Sequence, residues 1–279
     1  MIQEEEHPLE VDQEALAAEH FSIGIVGTNS TAKALEYAFG QIDKNDIMVV
    51  DKINNHIEDL IEFQPDIVFL CNEVERDENG VVNAAELEDY TVRMPRTGFV
   101  IKTPLPMAIV ERICWKNIKN VYEPDLSFFP SFLNEEAQIR SRLSQPLVVL
   151  GGHPKSTMAV QEIYYRFSTM DRGRAIQVSP TEAAFIEQAI GSLIVIQDTF
   201  CTQLYETVKD HGGSWHLISS ALGADPRVGK FGRIPNVNGT YGCESEQATN
   251  AIKSLKLFSD RFTFLENCDI MNDRYRERE

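Results

Sequence analysis

The chain has 279 residues and sets 26 Lys plus Arg against 43 Asp plus Glu, a formal charge of −17. That length holds two domains and a large core. The acidic balance makes nucleic acid and anionic membranes poor partners, because phosphate-binding surfaces collect positive charge. Cys71, Cys114, Cys201, Cys243 and Cys268 are odd in number and irregularly spaced, and the six histidines form no ligand pair. Neither a disulfide framework nor a bound metal is expected, and a reducing cytoplasmic setting is. Residues 1–20 read as an acidic, solvated arm that lacks the basic and apolar regions of a signal peptide. No apolar run reaches the ~20 residues of a membrane span.

Phe21 to Val26 is an apolar strand, Gly27 to Ala32 a turn of small residues, and KALEYAF an amphipathic helix. This is the opening unit of a Rossmann-type domain. The next strand, at 47–50, ends at Asp51, 24 residues after Gly27. A carboxylate at that distance suits hydrogen bonding to an adenosine ribose 2′-OH and disfavours a 2′-phosphate. A helix at 56–63, a buried strand at 66–71, a polar turn at 75–83 and a helix at 84–92 follow. Then come a strand at 98–102, a helix at 107–114 and strands at 120–122 and 147–150. The alternation predicts a doubly wound, mostly parallel sheet with helices on both faces across residues 21–178. Ligands of such sheets lie at the carboxyl ends of the strands. Gly27, Thr28, Asn29, Asp51, Cys71 and Thr103 fall there and are the candidates for binding NAD. The turn reads Gly27-x-Asn29-x-x-Ala32 where a full fingerprint would be GxGxxG. Ala32 still lets helix pack on strand, but Asn29 puts a side chain where backbone should approach the pyrophosphate. The other reading of these residues is an α/β turn that holds no dinucleotide.

Residues 179–279 are predicted to be all-α and built on one long helix at 180–211, about 48 Å of spine. Ser179 serves as N-cap, Pro180 takes the first helical position, Glu182 completes a capping box, and Gly212-Gly213 supplies the stop. Residues 189–196 are apolar almost all round. A helix of that kind must be covered by its own domain or by a second copy, so a homodimer through 180–211 is expected, with Ile194 and Ile196 in the contact. Helix 214–222 and the segment 249–268 should pack on the spine through Trp215, Leu217, Leu222, Leu255, Phe258, Phe262 and Leu265. The polar end, NDRYRERE, should fray.

Several stretches, in order, resemble the UDP-glucose/GDP-mannose 6-dehydrogenase family. IGIVGTNSTAKAL is similar to its IGxxGxGyvG opening, IKTPLPMAIVERI to its sTVpPGTteRl stretch, and FPSFLNEEA to its NPEFLrEGxA loop. LGADPRVGKF matches its G-x-D-x-R-I-G segment, and Gly239-Thr240-Tyr241-Gly242-Cys243 its GyGGsC loop. The resemblance covers roughly residues 21–265, the family's NAD domain and central dimerising helices; its third, nucleotide-sugar-binding domain would lie beyond the last residue. It implies oxidation of a primary alcohol by two hydride transfers to NAD through a thiohemiacetal on a cysteine. Cys243 would be that nucleophile, Thr103 would hold a catalytic water, Glu135 matches the second Glu of its loop, and Arg227 and Gly239 would contact substrate. Other positions depart from the pattern. Ser131 replaces the catalytic Glu, Glu187 the lysine that stabilises an alkoxide, Gly191 its companion asparagine, and Glu246 and Gln247 the lysine and aspartate of the cysteine loop.

Two functions follow from this balance. One is a divergent, shortened NAD-dependent oxidoreductase acting on a nucleotide sugar or a smaller alcohol. The other is a dimeric pseudoenzyme or binding scaffold. A structural protein whose acidic surface docks a basic partner is a third reading, although such charge more often serves solubility.

Overall fold

The structure, a computed structural model, describes residues 22–40, 46–51, 56–77, 81–95, 97–118, 126–128, 147–154, 156–158, 160–161, 175–228 and 246–277. The expected acidic arm, the strand at 120–122 and the positions Ser131, Glu135, Gly239 and Cys243 lie outside them, as do the side chains of Cys114, Glu246 and Gln247.

The chain opens with β1 (Ser22–Val26), α1 (Ser30–Phe39), β2 (Asp46–Val50), α2 (Ile57–Phe63) and β3 (Ile67–Leu70). A two-stranded antiparallel hairpin, β4 (Glu75–Arg76) with β5 (Val82–Asn83), stands where the sequence reads as a plain polar turn. Next come α3 (Ala85–Arg93), β6 (Gly98–Ile101), α4 (Met107–Ile118), β7 (Leu126–Phe128), β8 (Val148–Gly152) and β9 (Ala175–Val178). The main sheet has seven strands in the order β2-β1-β3-β6-β7-β8-β9. The first five run parallel, β7 meets β8 antiparallel, and β9 runs with β8. The sheet is therefore doubly wound and mostly parallel, with the chain reversing direction between β1 and β3.

Each strand sorts its side chains to two covered faces, as a period of two requires. In β3, Ile67 and Phe69 join the layer under α1 with Leu35 and Phe39, and the rings of Phe39 and Phe69 lie 5.2 Å apart. Val68 and Leu70 turn to the opposite layer with Leu60, Leu87, Phe99 and Ile101. Burying each such side chain contributes roughly 1.5–3 kcal/mol.

The spine is α5 (Pro180–Asp210). Its start is built as the sequence predicts: Glu182 N–H donates to Ser179 Oγ at 3.2 Å, and Ser179 N–H to Glu182 Oε2 at 2.8 Å. Its end is a left-handed glycine stop, with Gly212 at φ +70° and Gly213 N–H bonded to the Val208 carbonyl at 2.8 Å. The first half of the spine lies on the α/β domain. A Cβ on Gly151 of β8 would stand 2.7 Å from Ala183 Cβ, and Gln188 Nε2 donates to the Leu105 carbonyl at 3.0 Å. By length and composition this helix could cross a membrane, but Glu187, Gln188, Ser192, Thr199 and Thr202 are buried against protein.

Three helices follow: α6 (Trp215–Ala224), α7 (Glu246–Phe258) and α8 (Thr263–Arg276). α7 crosses the spine at Gly191, where an added Cβ would lie 2.6 Å from Ala251 Cβ and 3.4 Å from Ala248 Cα. Trp215 packs edge-on against Tyr205, Phe258 edge-on against Phe185, and Leu255, Phe262 and Leu265 join the core. Leu217 does not pack on the spine; it is 70% exposed. As far as residue 277 the polar end does not fray either, because Asn272 and Tyr275 are buried and Tyr275 Oη donates to Glu206 Oε2 at 3.2 Å. Polar composition gave the wrong outcome there, since those two residues face the spine side of an amphipathic helix. Ile194 and Ile196 both pack partly buried against the core of this subunit. The exposed large apolar residues of the spine are Leu193 and Phe200, seven apart and so on one face.

Candidate functional site

β1 ends in a turn that only glycine can make. Gly27 sits at φ +115°, and a Cβ there would lie 2.8 Å from Asn72 N and from Cys71 C. Its N–H donates to the Val50 carbonyl at 2.8 Å, while Cys71 N–H donates to the Val26 carbonyl at 2.8 Å. The carboxyl ends of β2, β1 and β3 are thereby tied together, and beside them opens a cavity of about 690 Å³. This is the switch point at which doubly wound sheets bind ligands.

The structure brings Gly27, Thr28, Asn29 and Asp51 together in that cavity's wall. Val26, Val50, Ile57 and Tyr90 give it apolar surface, and Asn72 presents an amide whose oxygen and nitrogen are buried and have no partner among the described residues. Cys71 and Thr103 stand behind the wall. Thr103 is buried and its hydroxyl donates to the Asn72 carbonyl at 2.8 Å, which holds the loop after β3 against the end of β6. Burial raises the Cys71 thiol to about 12, against the pull of the Lys102 charge, so at neutral pH it is a thiol and contributes its backbone.

Asn29 takes an unexpected part. Its Oδ1 accepts the Ala32 N–H at 3.0 Å and so caps α1, while its Nδ2 donates to the Cys71 carbonyl. The helix N–H that an anion would otherwise meet is satisfied by the protein's own side chain.

The cavity is also more acidic than the sequence suggests. Glu58, Glu73, Glu86 and Asp89 line it together with Asp51, and among the described residues none that lines it is Lys or Arg. Arg93 stands beside it, 3.0 Å from Glu58 and 3.6 Å from Asp89. Backbone hydrogen bonding at the start of α2, helped by Arg93, holds the Glu58 carboxyl below its ordinary range. The α3 contribution could have been found from spacing, since Glu86, Asp89 and Tyr90 share one helical face. Nothing in the sequence says that this face turns towards the end of β2.

Further along the sheet, the end of β6 is closed. Ile101, Lys102 and Thr103 are all at most 3% exposed, and the spine's Glu187 is 5% exposed. Desolvation drives the Lys102 ammonium down to about 7, and the charges of Cys71 and Glu187 pull it back up. Glu187, which stands where the resemblance places a lysine, thus has a cation on the neighbouring strand end. Gly191, one turn further on, is consumed by the crossing with α7 and leaves no room for a side chain. Arg227 does not line that cavity; its guanidinium lies on the surface, 2.6 Å from Asp225. Among the described residues no group of three or more His, Cys, Asp or Glu could hold a metal ion.

No protein-family model and no curated protein matches this chain. Solved structures do. A UDP-glucose dehydrogenase from the hyperthermophilic archaeon Pyrobaculum islandicum superposes with a TM-score of 0.74 at 13% identity, over 93% of this chain and 68% of that one. A UDP-D-ManNAc dehydrogenase from Pyrococcus horikoshii gives 0.72 at 12% identity, over 91% and 68%. A GDP-mannose dehydrogenase from Pseudomonas aeruginosa gives 0.62 at 14% identity, over the same shares. The chain has the fold of the nucleotide-sugar dehydrogenases.

Proposed function

We propose that this chain is a dimeric, cytoplasmic protein that binds a nucleoside moiety on a nucleotide-sugar dehydrogenase scaffold, and that it no longer oxidises nucleotide sugars. The observation that carries the reading is the contrast along one sheet edge. A cavity of about 690 Å³ stays open beside Asp51, while the alkoxide-stabilising positions have become Glu187, facing Lys102, and Gly191, packed on Ala251. Losing one oxyanion donor typically costs about 10²–10³ in rate, and here donor and companion are replaced together. NAD is the cofactor the resemblance implies. Its adenosine half fits the cavity, with Asp51 placed for the ribose, but its pyrophosphate meets the Asn29 amide. A second copy would cover Leu193 and Phe200 on the spine.

The second reading, an NAD-dependent oxidoreductase, rests on Cys243, Glu135, Thr103, Arg227 and Gly239, which match the family's motifs in sequence. One set of measurements separates the two. Calorimetric titration with adenosine is expected to show binding that Asp51→Ala abolishes, while NAD⁺ reduction with UDP-glucose or GDP-mannose stays at background. Turnover that Cys243→Ser abolishes would overturn the proposal in favour of the oxidoreductase. Sedimentation should show a dimer that Leu193→Asp with Phe200→Asp converts to monomer. A monomeric natural protein would remove the dimer from the proposal.

A further inference from the structure

The cavity at the switch point has the walls of a nucleoside site and the charge of a site that rejects phosphate. A pyrophosphate at this turn would need the first N–H groups of α1 and room beside the backbone. Asn29 takes one of those N–H groups and part of that room, since Oδ1 holds the Ala32 N–H at 3.0 Å and Nδ2 bridges to the Cys71 carbonyl. Around the remaining space stand five carboxylates, Asp51, Glu58, Glu73, Glu86 and Asp89, with Arg93 engaging two of them. They do not converge as a metal cage would, so they act as a field over the cavity. Such a field repels a pyrophosphate and attracts a cation.

The rest of the lining suits a base and a ribose. Val26, Val50, Ile57 and Tyr90 offer apolar walls to a flat ring. Asn72 lines the cavity with a buried amide that lacks a partner among the described residues; turned outwards, it would meet the N6 and N7 edge of an adenine. Asp51 at the end of β2 is where a ribose diol is held.

We infer that this cavity takes a purine nucleoside whose 5′ substituent is neutral or cationic, and not a pyrophosphate dinucleotide. The inference rests on the nucleoside reading proposed above and narrows it. It is tested by titrating the full chain with adenosine, 5′-amino-5′-deoxyadenosine and ADP-ribose. Adenosine and the amine are expected to bind at least about tenfold tighter than ADP-ribose. Raising ionic strength from about 0.01 M to about 0.15 M should weaken the amine and leave adenosine unchanged, because only the amine gains from the carboxylates. Asn29→Gly restores a glycine to the turn and still caps a helix acceptably. In that variant the ratio of adenosine to ADP-ribose affinity should shrink at least about tenfold. ADP-ribose binding as tightly as adenosine, or an unchanged ratio in Asn29→Gly, would overturn the inference and leave the nucleoside site standing. Failure of all three ligands to bind at millimolar concentration would overturn both.

Discussion

Asp51 and Lys102 stand one residue past the ends of β2 and β6, two parallel strands of one sheet, yet their surroundings are opposite. Asp51 is half-buried on an open cavity walled by loops and by one face of α3. Lys102 is 2% exposed and lies beneath the spine with Glu187. A binding site survives where the chain leaves the strand ends uncovered. Where a helix lies across them, the charged groups face each other and serve packing. The scaffold separates the two tasks, so one end can change without the other.

The sharpest way to break that contrast is to replace both charges, Lys102→Met with Glu187→Leu. Burial costs the ammonium more than Glu187 returns, so the apolar pair should raise stability by about 1–4 kcal/mol. Denaturant unfolding should show this. A loss of more than about 1 kcal/mol would mean that the two charges stabilise the closed end of β6. Next in size is Gly191→Asn, which restores the residue the resemblance expects. Its Cβ would fall 2.6 Å from Ala251 Cβ, with the backbone of Ala248 close behind, so overpacking should cost about 1–3 kcal/mol. Ala251→Gly should relieve part of it. At the open end the exposed Thr28→Ala should stay within about 0.5 kcal/mol.

Much of this was legible because it is local. The spine could be read to within a residue, since its cap, its proline and its glycine stop act on neighbours in sequence. Asp51 and Gly27 were legible for the same reason. The short strands β7 and β9 escaped, the first three residues long and the second a half-exposed edge strand. α7 and α8 read as one segment because no Gly or Pro marks the break at Ser259–Phe262. Tyr275 and Asn272 looked like frayed surface because their partners are remote; Glu206 lies 69 residues away. Lys102 and Glu187 are likewise far apart in the chain, and no pattern of spacing pairs a lysine at a strand end with a carboxylate on a later helix. Asn29 was visible as a departure from the glycine motif, but its bond to Cys71 depends on how closely the turn approaches β3.

The test that probes the closed end most directly is the dependence of stability on pH. Below about 7 Lys102 is protonated in both the folded and the unfolded chain, and folding bears the full cost of burying the ammonium. Between about 7 and its ordinary 10.5 the unfolded chain holds a proton that the folded one has shed, so stability rises with pH. Cys71 works in the other direction. Burial lifts its thiol from 9.0 to about 12, so above pH 9 the folded chain keeps a proton that the unfolded chain loses, and stability falls. The two opposing slopes confine the net gain to roughly pH 7–9, at no more than about 1.4 kcal/mol per pH unit. Urea midpoints should therefore climb across that window and then level off. Lys102→Met should abolish the climb, and Cys71→Val should let it continue above pH 9. Midpoints that stay flat from pH 7 to 9 in the natural chain would mean that Glu187 keeps Lys102 protonated throughout. The end of β6 would then hold a permanent ion pair, and the two ends of the sheet would differ in burial but not in charge.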